Sequence, residues 1–276
     1  MTTGTQFWTQ VEPGWTPPEP VACVTVTLGG IEMHGNAQRG AFYGLTDWDG
    51  WTSGAGSRGG PTPHENADGG VMGPVLMSGR TIRLEGKIEG RTTDRLAMMS
   101  EDLAAVLTRP REDWLIVDEE LLGLSRQVRV TRSGPPRITV TSSRRQAIFT
   151  LELQAADWRR VAVTQSTLVK SVGQSGALVN VGNADADLAA VLTGPLTNPR
   201  ITVTGQGYWE YVGTIAAGQT VGVDFANRLV RDTANGVLLR RSARGSWPQV
   251  APGTSTATIT GTGSGTVDLR WRSSWS

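Results

Sequence analysis

Cysteine is almost absent from this chain. Cys23 is the only one in 276 residues, so no disulfide can close within the chain and folding does not require an oxidising compartment. There is no CxxC pair and no His-rich cluster, which argues against structural zinc. Histidine is equally scarce. His34 and His64 are the only imidazoles, and a Ser or Cys nucleophile would need one of them as its base. No GxSxG elbow occurs, and Cys23 sits in a strand pattern as a small core hydrophobe. No apolar run approaches the ~20 residues needed to span a bilayer. Met1–Pro20 lacks a basic region followed by an apolar core, so no signal peptide is expected there. These absences predict a soluble protein made in the cytoplasm, with no cofactor and no metal.

Charge is also sparse. Lys and Arg number 26 against 25 Asp and Glu, a formal charge of +1. The basic residues are scattered, which weighs against a nucleic-acid partner. What the chain does have is 35 Gly, 14 Pro and 10 Trp, a composition suited to short strands joined by tight turns. Its length suggests about two domains.

The segment Leu45–Gly90 organises the rest. Leu45 to Ser78 reads as a long loop, with Trp48 and Trp51 flanking Asp49-Gly50. Loops beyond about 12–15 residues are uncommon unless functional or disordered. No chemistry is visible in it, so contact with neighbouring subunits or another protein is the inferred role, with Trp48, Asp49, Trp51, Arg58, His64 and Arg80 as the contact residues. Gly79–Gly90 then reads as a strand, with Ile82, Leu84 and Ile88 on one face and Arg83, Glu85 and Lys87 on the other.

In chain order, Met1–Pro20 reads as an arm, because four prolines exclude a helix or a central strand. Its Trp8 and Trp15 pack either on the same subunit or on a neighbour. Ala22–Leu28 alternates as a strand, Gly29-Gly30 turns, and Ile31–His34 starts the return. Thr93 is read as the cap of a helix from Asp94, with Leu96, Met99, Leu103, Val106 and Leu107 at helical spacing and Pro110 as its stop. Strands follow at Trp114–Val117, Gln127–Arg132, Arg137–Thr141 and Gln146–Gln154. A boundary is placed near residue 165, where Gly, Ser, Ala and Asn begin to dominate, and Ser171–Gly176 reads as a join.

The second half is all strand signals: Leu178–Val181, Leu188–Leu192, Arg200–Thr204, Tyr208–Val212 and Thr220–Phe225. Asn235-Gly236 between apolar segments is a strong hairpin signal. A last hairpin is expected from Thr256–Thr260 through Gly261–Gly265 to Thr266–Trp271. This pattern predicts a jelly-roll β-sandwich. The expected divisions are an arm at 1–20, one domain at 21–165 and a second at 166–276.

Candidate chemistry is thin. Gly54-Ala-Gly56-Ser-Arg-Gly59 matches GxGxxG but has no strand before it and no helix after it. Asn183, Asp185 and Asp187 imitate the start of a calcium loop, yet Leu188 and Gly194 occupy positions that need Gly and Glu. Asp47, Asp49, Glu65, Glu85 and Glu89 are the carboxylates placed for glycoside hydrolysis, although turn capping and solvation are the commoner roles. Tyr208, Trp209, Tyr211, Trp247, Trp271 and Trp275 are the aromatics that could stack on a sugar, with Tyr208, Trp209 and Trp247 singled out as ligand contacts, against core packing as the commoner role. Adjacent positions in a strand face opposite ways, so one of Tyr208 and Trp209 should point outward.

Several segments together resemble a known family. They are Trp48-Asp-Gly-Trp51 with Pro61, Pro63 and His64; Ser78-Gly-Arg80-Thr-Ile-Arg-Leu-Glu-Gly86; and Leu153-Gln-Ala-Ala-Asp157-Trp-Arg-Arg160. Further on come Asn198-Pro-Arg-Ile-Thr, Gly245-Ser-Trp-Pro248, Pro252-Gly, and the closing Gly-Ser-Gly-Thr-Val with Trp271-Arg. In this order they resemble the distal tail proteins, or minor tail proteins, of long-tailed phages infecting actinobacteria. Two departures stand out: His64-Glu65 where relatives carry His-Gly, and Asp157-Trp158 where many have Asp-Pro.

The resemblance implies a virion protein of the tail tip, without enzymatic activity. It implies a homo-oligomeric ring, usually a hexamer, between the major tail tube protein and the tail hub or tip protein. The tape measure protein and receptor-binding proteins are further partners, and DNA passes through without specific binding. A tail-tube-like β-sandwich with one flanking helix is implied for the first half. A galectin-like or carbohydrate-module sandwich is implied for the second, with a cell-wall glycan as a candidate ligand. The rival readings are a carbohydrate-binding adhesin module and an envelope-degrading glycosidase.

Overall fold

The computed structural model describes residues 24–35, 42–108, 112–142 and 144–276. The proline-rich arm, Cys23 and Pro110 lie outside the described residues. The first half contains β1 (Val24–Leu28), β2 (Ile31–His34), β3 (Phe42–Asp49), β4 (Ser57–Arg58), β5 (Pro61–Pro63), β6 (Gly70–Met72), β7 (Leu76–Met77), β8 (Arg80–Glu89), α1 (Thr93–Ala105), β9 (Asp113–Glu119), β10 (Leu124–Arg132), β11 (Arg137–Val140), β12 (Gln146–Ala155) and β13 (Arg160–Ala162). The second half contains β14 (Ser166–Ser171), β15 (Ser175–Asn180), β16 (Leu188–Thr193), β17 (Leu196–Val203), β18 (Gly207–Tyr211), β19 (Thr214–Ile215), β20 (Thr220–Asp224), β21 (Leu229–Asp232), β22 (Ala243–Gly245), β23 (Gly253–Gly263), β24 (Thr266–Trp271) and β25 (Ser274–Trp275). The protein is mainly β, as expected.

Period-two alternation builds the first body. Val24, Val26 and Leu28 point inward from β1, and Ile82, Leu84 and Ile88 from β8. The strands form one sheet in the order β11-β12-β8-β3-β2-β1-β9-β10-β13-β25. β10 also pairs with β12 through Val130–Arg132 and Leu153–Ala155. The sheet therefore rolls over until its seven central strands meet, and the two layers of the expected sandwich are two sides of one closed sheet around one core. Only β2 and β3 run parallel among the described strands. Gly86 lets the wall close tightly, since a Cβ there would lie 2.1 Å from the Gly44 oxygen and 2.6 Å from the Phe149 ring.

The helix expected over Asp94–Leu107 spans Thr93–Ala105, and its cap is Thr92 rather than Thr93. The Thr92 side chain accepts from the Arg95 amide, satisfying one of the orphan donors of the first turn. Leu96, Met99 and Leu103 are buried in the first core. The helix stops ahead of Pro110: Val106 turns extended and Leu107 takes φ 55. Arg132 then donates to the Ala104 and Val106 oxygens at 3.0 and 3.3 Å, a cation placed at the negative helix end.

The second half is a two-sheet sandwich. One sheet runs β14-β24-β16-β20-β21, and the other β15-β23-β17-β18-β22 with β19 on β17. Leu188, Leu192, Ile201, Trp209, Val221, Ile259 and Leu269 fill the space between them. Two expectations are corrected here. Ser171–Gly176 is no join, because β14 and β15 are ladder strands of opposite sheets and the turn between them carries the chain across the core. Gly261–Gly265 is no hairpin either: β23 pairs with β15 and β17, whereas β24 pairs with β14 and β16. Glycine is needed at that crossing, since a Cβ at Gly265 would lie 2.1 Å from the Thr193 oxygen. The Asn235-Gly236 turn does form, with Gly236 at φ 73, and returns to β21 through a single bridge at Arg231–Leu238.

Replacing Leu103 by Ala should lower stability by about 2–5 kcal/mol, as for other fully buried leucines. Met98→Ala on the outer face of the same helix should stay within about 0.5 kcal/mol of wild type. Urea unfolding of both variants, followed by circular dichroism, tests the packing of α1. Equal losses would place the wrong face inward.

Candidate functional site

The segment expected to be a loop from Leu45 is strand as far as Asp49, and beyond it becomes an ordered projection. β4 pairs with β7, and β5 with β6. Together these two short ladders make an antiparallel arm, sealed at its base by the Ser78 amide and hydroxyl, both donating to the Gly56 oxygen at 2.8 Å. The arm is exposed nearly throughout, and five of its apolar residues face solvent: Val71, Met72, Val75, Leu76 and Met77. Arg58 and His64 lie on this exposed arm. Asp49 is also exposed and accepts from the Gly50 amide at 2.7 Å. Trp48 is half-buried against the first core.

Trp51 and Arg80 occupy a different place from the one expected of contact residues. Both are inside the subunit, with exposures of 0% and 2%, and their partners belong to the same chain. Arg80 donates through Nη1 to the oxygens of Gly50 (2.8 Å), Trp51 (2.9 Å) and Ser53, and through Nη2 to Trp158 (3.2 Å). Arg160 donates to the Trp51 oxygen at 2.7 Å and to the Ser276 oxygen. Arg160 and Arg126 lie 5.5 and 6.0 Å from the Trp51 ring, and Arg126 lies 5.6 Å from Trp275. Two buried guanidinium groups thus face the Trp51 indole, a third, Arg80, binds its backbone oxygen, and Glu119 is ion-paired with Arg126.

The crowding shows in proton affinity. Burial, then the charges of Arg126 and Arg80, push Arg160 down to about 10, with Glu119 opposing. Burial and Arg126 likewise lower Arg80. Arg126 and Arg160 did not figure among the candidate residues, and Trp275 figured only as an aromatic that could stack on a sugar. A signal for them exists, because Arg80 shares the face of Ile82 and Leu84, and Arg126 shares the face of Val128 and Val130. An arginine on the apolar face of an alternating strand marks a buried cation.

A cleft of about 430 Å³ runs between the two halves, lined in part by Trp114, Arg129, Asp157, Arg159, Asp187 and Arg272. Arg159 holds both oxygens of Asp187 at 2.8 and 2.7 Å and also bonds Asp157. Burial works against its charge, but the hydrogen bonds and charges of Asp187 and Asp157 outweigh it and raise its pKa. Of the acidic side chains lining the cleft, Asp187 joins the halves, Asp157 braces Arg159, and Asp224 accepts from Asn227. Asp47, Asp49, Glu65, Glu85 and Glu89 do not line it.

The candidate sugar-stacking aromatics are dispersed. Trp209 is fully buried, 5.7 Å from Phe225 and 6.2 Å from Trp247, which removes it as a ligand contact. Tyr208 is the outward member of the pair, and Arg200 lies 3.7 Å from its ring centroid. Trp247 is half-buried, with Arg240 at 4.7 Å.

Trp51→Ala should cost about 3–5 kcal/mol because it removes the buried indole that Arg126 and Arg160 face. Met72→Ser on the exposed arm should leave thermal stability within about 0.5 kcal/mol. Calorimetry of the two variants separates a residue that holds the subunit from one free to touch a partner.

No family model matches the chain. No curated protein matches it in sequence. Solved structures do. The Dit (gp 19.1) protein of phage SPP1, described as a paradigm of the hub adsorption apparatus in phages infecting Gram-positive bacteria, aligns with 91% of this chain and 98% of its own at 13% identity, with a TM-score of 0.64. A chain of the phage P2 baseplate, in its activated conformation with Ca, aligns over the same shares at 9% identity and a TM-score of 0.49. The chain has the fold of the SPP1 Dit protein across both of its halves.

Proposed function

We propose that this protein is a structural, non-enzymatic component of a phage virion. It forms a ring, a hexamer, at the distal end of the tail tube of a long-tailed phage. The observation that carries this reading is the fold shared with a phage hub protein over 91% of the chain. In the ring the first body, around residues 21–165, lines the channel through which DNA passes and meets the major tail tube protein. The second sandwich, around residues 166–276, projects outward to receptor-binding proteins. The tail hub or tip protein and the tape measure protein are the remaining neighbours.

The arm gives the proposal a physical basis. Val71, Met72, Val75 and Leu76 each expose more than half of their surface. Apolar side chains grouped in this way mark a surface that another chain covers. Trp48, Asp49, Arg58 and His64 are carried forward as contact residues at the arm and its base. A cell-wall glycan remains the second reading for the outer sandwich, resting on the exposed ring of Tyr208. Glycan-array binding that is lost in Tyr208→Ala would favour it.

Electron microscopy of the purified protein should show rings with a central channel. The triple variant Val71→Ser, Met72→Ser, Leu76→Ser should keep the wild-type melting temperature and fail to form rings. A protein monomeric at every concentration would overturn the ring. Normal rings from the triple variant would overturn the role of the arm.

A further inference from the structure

The chain does not end its path in the sandwich it has just completed. After Trp271, the segment Arg272–Ser276 leaves the second half and returns to the first. Arg272 donates to the oxygens of Ala162 (3.0 Å) and Val163. Ser273 accepts from the Ala162 amide at 2.8 Å, and Ser274–Trp275 pairs with Val161 and Arg160. The side of the segment turned to the second half sits in a shaped slot. Asn180 accepts from the Ser274 amide at 3.2 Å, and its own amide nitrogen donates to Ala184 and Val250. Asn183 accepts from the Ser276 amide at 2.8 Å. Gly182 approaches so closely that a Cβ would lie 1.7 Å from the Ser274 oxygen. Ser273 and Ser274 are buried.

We propose that Arg272–Ser276 is a strap that latches the arm. Seated on β13, it supplies Ser276 as an acceptor for Arg160 and Trp275 as a face for Arg126. Those two arginines then stay against Trp51, where Arg160 and Arg80 share one carbonyl oxygen. The same Arg80 binds Gly50 and Ser53 on the ascending side of the arm and lies three residues beyond the last arm strand. An unbroken path of contacts therefore runs from the second half, through the strap, to both ends of the arm.

The strap is the weakest part of that path. Its ladder is two residues long and it is the last strand of that sheet, with a single bridge from Ser274 to Ala184 on its other side, so it opens locally before the closed barrel does. Once it lifts, three like charges are held beside Glu119 with one acceptor and one aromatic face removed. Arg160 then moves toward water, and the base of the arm loosens. A partner that pulls on the second half would in this way free the arm in the first.

Hydrogen exchange on the full chain tests the latch. Val161 and Ser274 are directly paired across the ladder, a separation that a disulfide can span. The variant Val161→Cys, Ser274→Cys, with Cys23→Ser to leave a single pair, locks the strap when oxidised. Amides of Trp51–Ser57 and Met77–Thr81 should exchange about tenfold more slowly in the oxidised than in the reduced form. In Trp275→Ala the same amides should exchange faster than in wild type, while those of Leu84 and Val128 stay unchanged. Changes confined to Arg160–Ala162 and Ser274–Trp275 would overturn the proposal, as would identical arm exchange in the oxidised and reduced forms. The disulfide comparison stands by itself should Trp275→Ala fail to fold.

Discussion

A guanidinium group taken out of water needs acceptors for its donors and something to balance its charge. Arg80, Arg126 and Arg160 all face that requirement around Trp51, and the surrounding structure meets it at their terminal nitrogens while each Nε is buried without a partner. Backbone oxygens of Gly50, Trp51, Ser53, Trp158 and Ser276 supply the acceptors. Glu119 supplies one negative charge, and the rings of Trp51 and Trp275 supply electron-rich faces. With the arginines themselves, these groups come from five separate stretches of chain: 50–53, 80, 119–126, 158–160 and 275–276. Removing any of them exposes a buried cation to a medium that cannot solvate it, so the cluster couples segments that share little apolar contact. The low proton affinity of Arg160 is the electrostatic trace of that arrangement.

This dependence divides the long Leu45–Gly90 segment into two parts with opposite chemistry. At its base, Trp51 and Arg80 are buried inside the subunit. Further out, the side chains of Val71, Met72 and Leu76 have no core to enter, because the ladders of β4–β7 are two or three residues long and have no second layer behind them. Short two-stranded ribbons are marginal on their own. The tight base and the solvent-facing apolar tip are thus complementary: one orients the projection, and the other leaves it in need of a partner.

Much of the local structure was legible in the sequence. The alternation in β1, β8 and β12 and the apolar stripe of α1 report burial directly, because each follows from the geometry of one element. What could not be read was which strand meets which. Gly261–Gly265 has the composition of a hairpin turn, yet it joins strands of opposite sheets; a run of glycines permits a reversal without choosing the partner. Ser171–Gly176 looked like a linker because small polar residues are common both in joins and in edge strands. The site was partly visible. Trp51 and Arg80 stood out by residue type, but the hydrogen bonds and stacks that bury them come from residues up to 109 positions distant, and no local spacing encodes them. Trp209 was misplaced for the reverse reason, since an aromatic in a strand carries no mark of which face is core.

The chain passes between its two halves twice, outward through Val163–Gln165 and back through Arg272–Ser273. A single linker would act as a swivel, leaving the outer half free to turn in every direction. Two tethers side by side, held together by the bonds from Arg272 to Ala162 and Val163, behave instead like a leaf hinge. Twisting would have to shear one tether past the other, while bending works against the Arg159–Asp187 ion pair that also spans the halves. A load applied to the outer half therefore reaches the inner one through two crossings and this ion pair rather than through one swivel.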